Sequence, residues 1–250
     1  MLPKIKHPTY EVEIPSTKEI IKMIPMTVKE EKILLMAKES KEPKDILAAV
    51  KQVVQNCIVQ RGHSDHNVTK EGKDDYRDVN SLALVDIDYL FIKLRAASVS
   101  NKTKVSYIDN DDNQTYDFDI DLEDVKVKYP EKVLDNIKVS DSIGIVLKYP
   151  PASLYSDEEF AKAEGDDLIY ILIDRSLVNV YDGAKVTEAK DIKMDELKEW
   201  IDSMAVKPYN DIKEFFANLP SLHYEIKYTN KNGKERNIVL STLNDFFTLS

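Results

Sequence analysis

The chain has 250 residues and 28.7 kDa, with 42% hydrophobic and 32% charged residues and a formal net charge of −10. Its one cysteine, Cys57, excludes an internal disulfide framework and a four-cysteine zinc site. No apolar run approaches the roughly 20 residues that span a bilayer, and the start MLPKIKHPTYEVEIP lacks an apolar signal core, so the chain reads as cytosolic.

Residues 2–26 read as an extended hairpin turned at Pro15-Ser16-Thr17. Thr27 then caps VKEEKILLMAKES, with Glu30 completing a capping box and Val28, Ile33, Leu34, Leu35 and Met36 giving an apolar face. Pro43 opens a second helix, in which Ile46, Leu47, Val50, Val53, Val54, Cys57 and Ile58 repeat at helical spacing. The pair over 28–60 predicts an αα-hairpin. Residues 61–78 are polar and read as a long surface loop. SLALVDIDYLFIKLRAASV predicts a third helix over 82–98, capped by Ser81 and packed on the pair.

KVSYI, the turn DNDDNQT and YDFDIDL predict a hairpin over 104–127 with one wet, acidic face. The C-terminal half is mixed. SIGIVLKY reads as a strand, 152–164 as helical, and DLIYILIDRSLVNVYD as one buried helix. ELKEWIDSMA and YNDIKEFFANL are further helices, and LHYEIKY, the turn Asn230-Lys231-Asn232-Gly233 and KERNIVL close the chain as a hairpin. Helical and alternating segments are grouped and not interleaved as βαβ units. The expected fold is therefore α+β: a helical pair, a third packed helix, separate antiparallel hairpins and a mixed C-terminal half. A composition shift near residue 130 divides the chain into 1–129 and 130–250.

Charge bears on function. Residues 1–100 hold 16 Lys/Arg against 15 Asp/Glu, while 101–250 hold 19 against 30. An acidic balance argues against nucleic-acid binding, which needs a basic face, and permits docking of a basic partner.

No catalytic constellation stands out. Cys57, His63 and His66 lack the spacing of a zinc site, and no family signature surrounds Cys57 as a nucleophile. Asp109, Asp111, Asn113 and Asp117 imitate the start of an EF-hand loop. Gln114 then stands where glycine is needed and Ile120 where a bidentate glutamate is needed. No P-loop, dinucleotide fingerprint, G-x-S-x-G or H-E-x-x-H is present. The sequence predicts no enzyme, no cofactor and no tightly bound metal. The competing readings are a carboxylate-dependent hydrolase and a small regulatory binding module.

Several blocks together resemble a known family. Ile14-Pro15-Ser16-Thr17-Lys18, then Pro25 to VKEEKILLMAKES, a helix ending near Cys57, LALVDIDYLFIKLRAASV, IDLEDVKV, SIGIVLKYP and NGKERNIVLSTLNDFF follow the pattern of baseplate hub assembly proteins of T-even-type contractile-tailed bacteriophages. The blocks run from about residue 9 to residue 248. The chain departs from the pattern in a longer 61–78 loop. It also has a polar tip at 109–114, where some relatives carry cysteines suited to a small metal knuckle. The resemblance implies a late, non-enzymatic tail morphogenesis protein that is a hub component or assembly chaperone. The implied partners are baseplate hub or tail-tube and tape-measure proteins, with no nucleic acid and no membrane, and the implied place is the host cytoplasm during assembly or the virion baseplate.

Three residues are expected to meet a partner. Arg95 closes a long apolar helix, and arginine commonly anchors interfaces. Phe246 and Phe247 lie near the chain end, where each gains about 1.5–3 kcal/mol on burial, in the chain's own core or in a partner.

Overall fold

The computed structural model describes residues 2–61, 78–132 and 134–247. The expected 61–78 loop lies almost wholly outside the described residues. The fold is α+β, made of short helices and four small antiparallel sheets. The chain divides into two units, Met1–Lys128 with Ser221–Ser250, and Tyr129–Pro220.

The first unit opens with β1 (Tyr10–Glu13) and β2 (Ile20–Met23), paired antiparallel as the alternation predicts. The capping box holds as read. In α1 (Val28–Ser40) the Glu30 carboxylate accepts from Thr27 N at 3.1 Å and from the Thr27 hydroxyl. Next, α2 (Pro43–Cys57) buries Ala49, Val50, Val53, Val54 and Cys57. The helix stops at Cys57, and Ile58 begins β3 (Ile58–Arg61), which pairs with β2. The helical spacing that includes Ile58 hides this change, because a buried β-branched residue suits either element.

The third helix, α3 (Leu84–Ser98), begins two residues later than Ser81 predicts. Ala83 is its N-cap, and the capping acceptor comes from inside the first turn: Ala83 N donates to Asp86 Oδ2 at 3.1 Å. Asp86 is fully buried, and it also accepts from Ser16 N at 2.9 Å and from Ser16 Oγ at 2.5 Å. One carboxylate thus caps α3 and ties the β1–β2 turn to it. Burial pushes this carboxyl above the usual carboxylate range, against the pull of its three donors.

Two long strands follow, β4 (Lys102–Asp109) and β5 (Gln114–Asp121), as an isolated hairpin. Its wet face carries Asp117, Asp119 and Asp121. Lys104 and Lys102 stand across from Asp119 and Asp121 in the register, so the face is less acidic than β5 alone suggests. A short β6 (Lys126–Lys128) ends this part.

The second unit has 11 Lys/Arg against 19 Asp/Glu, so most of the chain's acidic excess resides there. Its strands are β7 (Asn136–Lys138), β8 (Ile143–Leu147), β9 (Leu177–Asp182) and β10 (Lys185–Glu188), in the order β10-β9-β8-β7. Its helices are α4 (Glu158–Lys162), α5 (Asp166–Ser176), α6 (Met194–Asp202) and α7 (Val206–Ala217). The segment read as one buried helix from 166 to 182 instead changes at Leu177 from α5 to β9. Val178 and Val180 favour the pleated surface there. Ile145, Leu147, Ile173, Leu177, Leu197 and Phe215 are central to this unit's core. Gly144 lets the Tyr181 ring lie across β8, where its hydroxyl donates to Asn136 Oδ1 at 2.9 Å. A β-carbon at 144 would meet the Tyr181 hydroxyl oxygen at 2.2 Å.

The chain then rejoins the first unit. β11 (Ser221–Thr229) pairs with β6 on one side and with β12 (Glu235–Leu240) on the other. Ser221 lies opposite Lys128, so the chain leaves and re-enters this sheet on neighbouring strands. A final short α8 (Leu243–Phe246) follows.

Candidate partner-binding surface

In the first unit, α1 and α3 set the geometry. Met26 N donates to Ser98 Oγ at 2.8 Å, which joins the start of α1 to the last turn of α3. Arg95 sits in that last turn, half-buried. Its Nη1 is buried with no hydrogen-bond partner among the described residues. Burial lowers the guanidinium's affinity for its proton, and Glu31 on α1 partly offsets this. Around this corner Val28 and Val99 stand largely exposed. Nη1 itself is out of reach of a docking surface, but the rest of the side chain is only half-buried, and an arginine beside exposed valines suits a complementary surface that carries a carboxylate or carbonyl.

Phe246 and Phe247 are placed elsewhere on the same unit. Phe246 is 2% exposed, and Phe247 packs edge-on against Phe91 of α3, with ring centroids 5.9 Å apart. The two rings also touch each other, with centroids at 6.5 Å. α8 is held by Asp245 Oδ2, which accepts from Ser241 N at 2.7 Å and Thr242 N at 2.8 Å. Phe91 lies one helical turn before Arg95, so α3 carries both features. The pair packs on its own fold.

The EF-hand-like acids have a different use. The β4–β5 tip meets the β11–β12 tip. Asp109 is 0% exposed, and accepts from Tyr228 Oη at 2.6 Å and pairs with Arg236 Nη2 at 3.1 Å. Asp111 accepts from Asn230 Nδ2 at 2.9 Å, from Asn232 Nδ2 at 3.0 Å and from the Lys234 ammonium. Asp112 accepts from Lys231 N at 3.0 Å and from Tyr116 Oη at 2.5 Å. Asn113 and Gly233 take the left-handed backbone that the two turns need, with φ of 54° and 77°. Asp117 points away, accepting from Ser106 Oγ at 2.6 Å. The cations facing these acids are therefore side chains of the other hairpin. The sequence signal for this clasp is the match between D-N-D-D at one tip and N-K-N-G-K-E-R at the other.

The clasp titrates in a defined direction. The Tyr228 hydrogen bond holds the Asp109 carboxyl below the usual range, and the Lys234 bond does the same for Asp111. For Asp112, burial pushes upward, but the Tyr116 hydroxyl and two backbone amides win, so it too is lowered. Burial, followed by the bond to Asp109, pushes the Tyr228 hydroxyl up to about 12. Folded carboxyls that bind protons more weakly than unfolded ones stabilise fully above the unfolded value of about 3.9, and that contribution is lost as pH falls through the lowered folded values. Urea melts from pH 6 downward should show stability falling below about pH 4. The Asp111→Asn variant should show a shallower acid limb, and an unchanged limb would remove the clasp from the acid response.

Cys57 is buried, and burial pushes its thiol up to about 12, which leaves it a thiol at neutral pH and no nucleophile. His63 and His66 lie outside the described residues. Among the described residues no three His, Cys, Asp or Glu side chains are grouped to hold a metal ion, and no helix is long and apolar enough to cross a membrane. An open groove of about 510 Å³ along β11–β12 is lined by Lys227, Tyr228, Thr229, Glu235, Arg236 and Asn237. Its Tyr228 and Arg236 are already engaged by Asp109.

Comparison with known proteins finds no matching curated protein and no matching solved structure. A family model does match, that of the T4 bacteriophage base plate protein, over residues 7–248. The match takes in both units and nearly the whole chain, and by it the chain belongs to the family of T4-type bacteriophage base plate proteins.

Proposed function

We propose that this base plate protein serves in building the hub of the baseplate, as a hub component or an assembly chaperone, through protein–protein contacts and without turnover. Its partners in this reading are hub proteins or the tail-tube and tape-measure proteins, met in the host cytoplasm during assembly. The observation that carries the reading is the corner at the end of α3, where the half-buried Arg95 lies beside exposed Val28 and Val99. The converging acids of the clasp give no support to a hydrolase, since Lys234, Arg236 and amide or hydroxyl donors occupy them. We assign the contact to Arg95, and assign to Phe246 and Phe247 the role of supporting α3 from behind.

The test is calorimetric titration with purified hub and tape-measure proteins of the same phage, alongside urea unfolding. Arg95→Ala should weaken binding by about 1–3 kcal/mol, the range for a buried interface anchor. Unfolding free energy should change by no more than about 0.5 kcal/mol. Normal binding by a folded Arg95→Ala protein would place the contact on another face.

A further inference from the structure

The outward face of α1 is unusual in what it shows to water. The helix buries only Glu30 and Ala37, while Leu35, Met36 and Val28 are 53%, 71% and 65% exposed. Its rotation is fixed by the buried glutamate. Glu30 caps Thr27 with one oxygen, and its other oxygen accepts from Asn56 Nδ2 of α2 at 3.4 Å. A leucine, a methionine and a valine are left on the opposite side. Val28, Lys32, Leu35 and Glu39 recur at spacings of four, three and four, so they form one stripe, with Met36 on its flank.

The charges on that stripe are self-complementary in one register. A two-fold axis beside the Leu35–Met36 peptide bond sets Leu35 against the partner's Met36, and Lys32 against the partner's Glu39. By symmetry each contact occurs twice. Moving the axis by half a residue, onto Leu35, opposes Lys32 to the partner's Lys38 and Glu31 to the partner's Glu39. Like charges therefore penalise that shift.

We propose that α1 is a self-association surface on which a second copy of this chain docks antiparallel, Leu35 on Met36 and Lys32 on Glu39. This goes beyond the hub-building role and does not depend on it. One pair of helices, each about 20 Å long, makes a small interface of the transient class, so the dimer forms in a concentration-dependent way.

Sedimentation equilibrium of the full chain over a concentration series is the test. The wild-type mean mass should rise from monomer toward dimer. Lys32→Glu and Glu39→Lys each place like charges across the axis and should weaken association by about tenfold or more. The double variant Lys32→Glu/Glu39→Lys should recover it. An equimolar mixture of the two single variants should also associate, because each then meets its complement. Both side chains are exposed, so circular dichroism should show every variant folded. A wild type that stays monomeric at the highest concentration overturns the proposal. So does association that the single substitutions leave unchanged, or single-variant losses that neither the double variant nor the mixture restores.

Discussion

Replacing Asp86 by alanine should lower the unfolding free energy by about 3–5 kcal/mol, measured by urea melts at neutral pH. The carboxylate is fully buried and serves three donors, Ser16 N, Ser16 Oγ and Ala83 N. Alanine strands them together, and a buried donor without a partner costs about 1–3 kcal/mol. The loss acts at two distances. Locally α3 loses its capping acceptor, worth about 1 kcal/mol. At long range the turn around Ser16 loses its attachment to α3. Asp86→Asn keeps the size and one acceptor oxygen, so it should cost less than alanine. Serine at position 16 carries the long-range part alone, and Ser16→Ala should reproduce only a fraction of the effect. Equal costs for Asp86→Ala and Ser16→Ala would show that the cap contributes nothing.

Phe246→Ala should cost about 3–5 kcal/mol, the usual range for emptying a buried aromatic site. The ring is almost fully enclosed, and the cavity it leaves lies beside Phe247 and, through it, Phe91. Phe247→Ala removes a half-buried ring and should cost less, by about the 0.5–1.5 kcal/mol of an aromatic pair plus part of its burial. Removing residues 243–250 should be at least as damaging as Phe246→Ala. A truncated protein that keeps its wild-type melting temperature would show that α8 is a detachable tail, and would return both rings to the set available to a partner.

How much of this could be read from the sequence varies by element. Periodicity found α2 and α3, and the Thr27/Glu30 box was visible because its signal is local and chemical. Two boundaries were hidden for one reason: a buried strand residue next to a helix obeys both patterns. Ile58 continues the apolar stripe of α2 yet starts β3, and Leu177 does the same between α5 and β9. Ser81 looked like the cap of α3, whereas the acceptor was Asp86, three residues beyond the true N-cap. For the candidate surface, the sequence marked Arg95 by its position but gave no hint that Nη1 lacks an acceptor, which depends on the packing of α1. It showed α1 as an apolar face without showing that the glutamate would turn inward and the leucine outward. Both hairpin tips were legible singly. Their meeting was not, because residues about 120 apart share no periodicity, only opposite charge.

The return of the chain to the first unit has a consequence for the order of synthesis. A ribosome that has made β6 must add 92 residues before Ser221 can take its place beside Lys128. At about 5–20 residues per second, that interval lasts on the order of 5–20 s. For that time Asp109 has neither Tyr228 nor Arg236, and Phe91 has no Phe247 over it. The inserted unit carries its own core and has all its strands before β11 is made, so it can be complete while the unit that encloses it in sequence is still open. Nascent chains stalled before residue 221 should therefore present an exposed α3 face, and β11, β12 and α8 act as the closing step of a unit begun at the first strand.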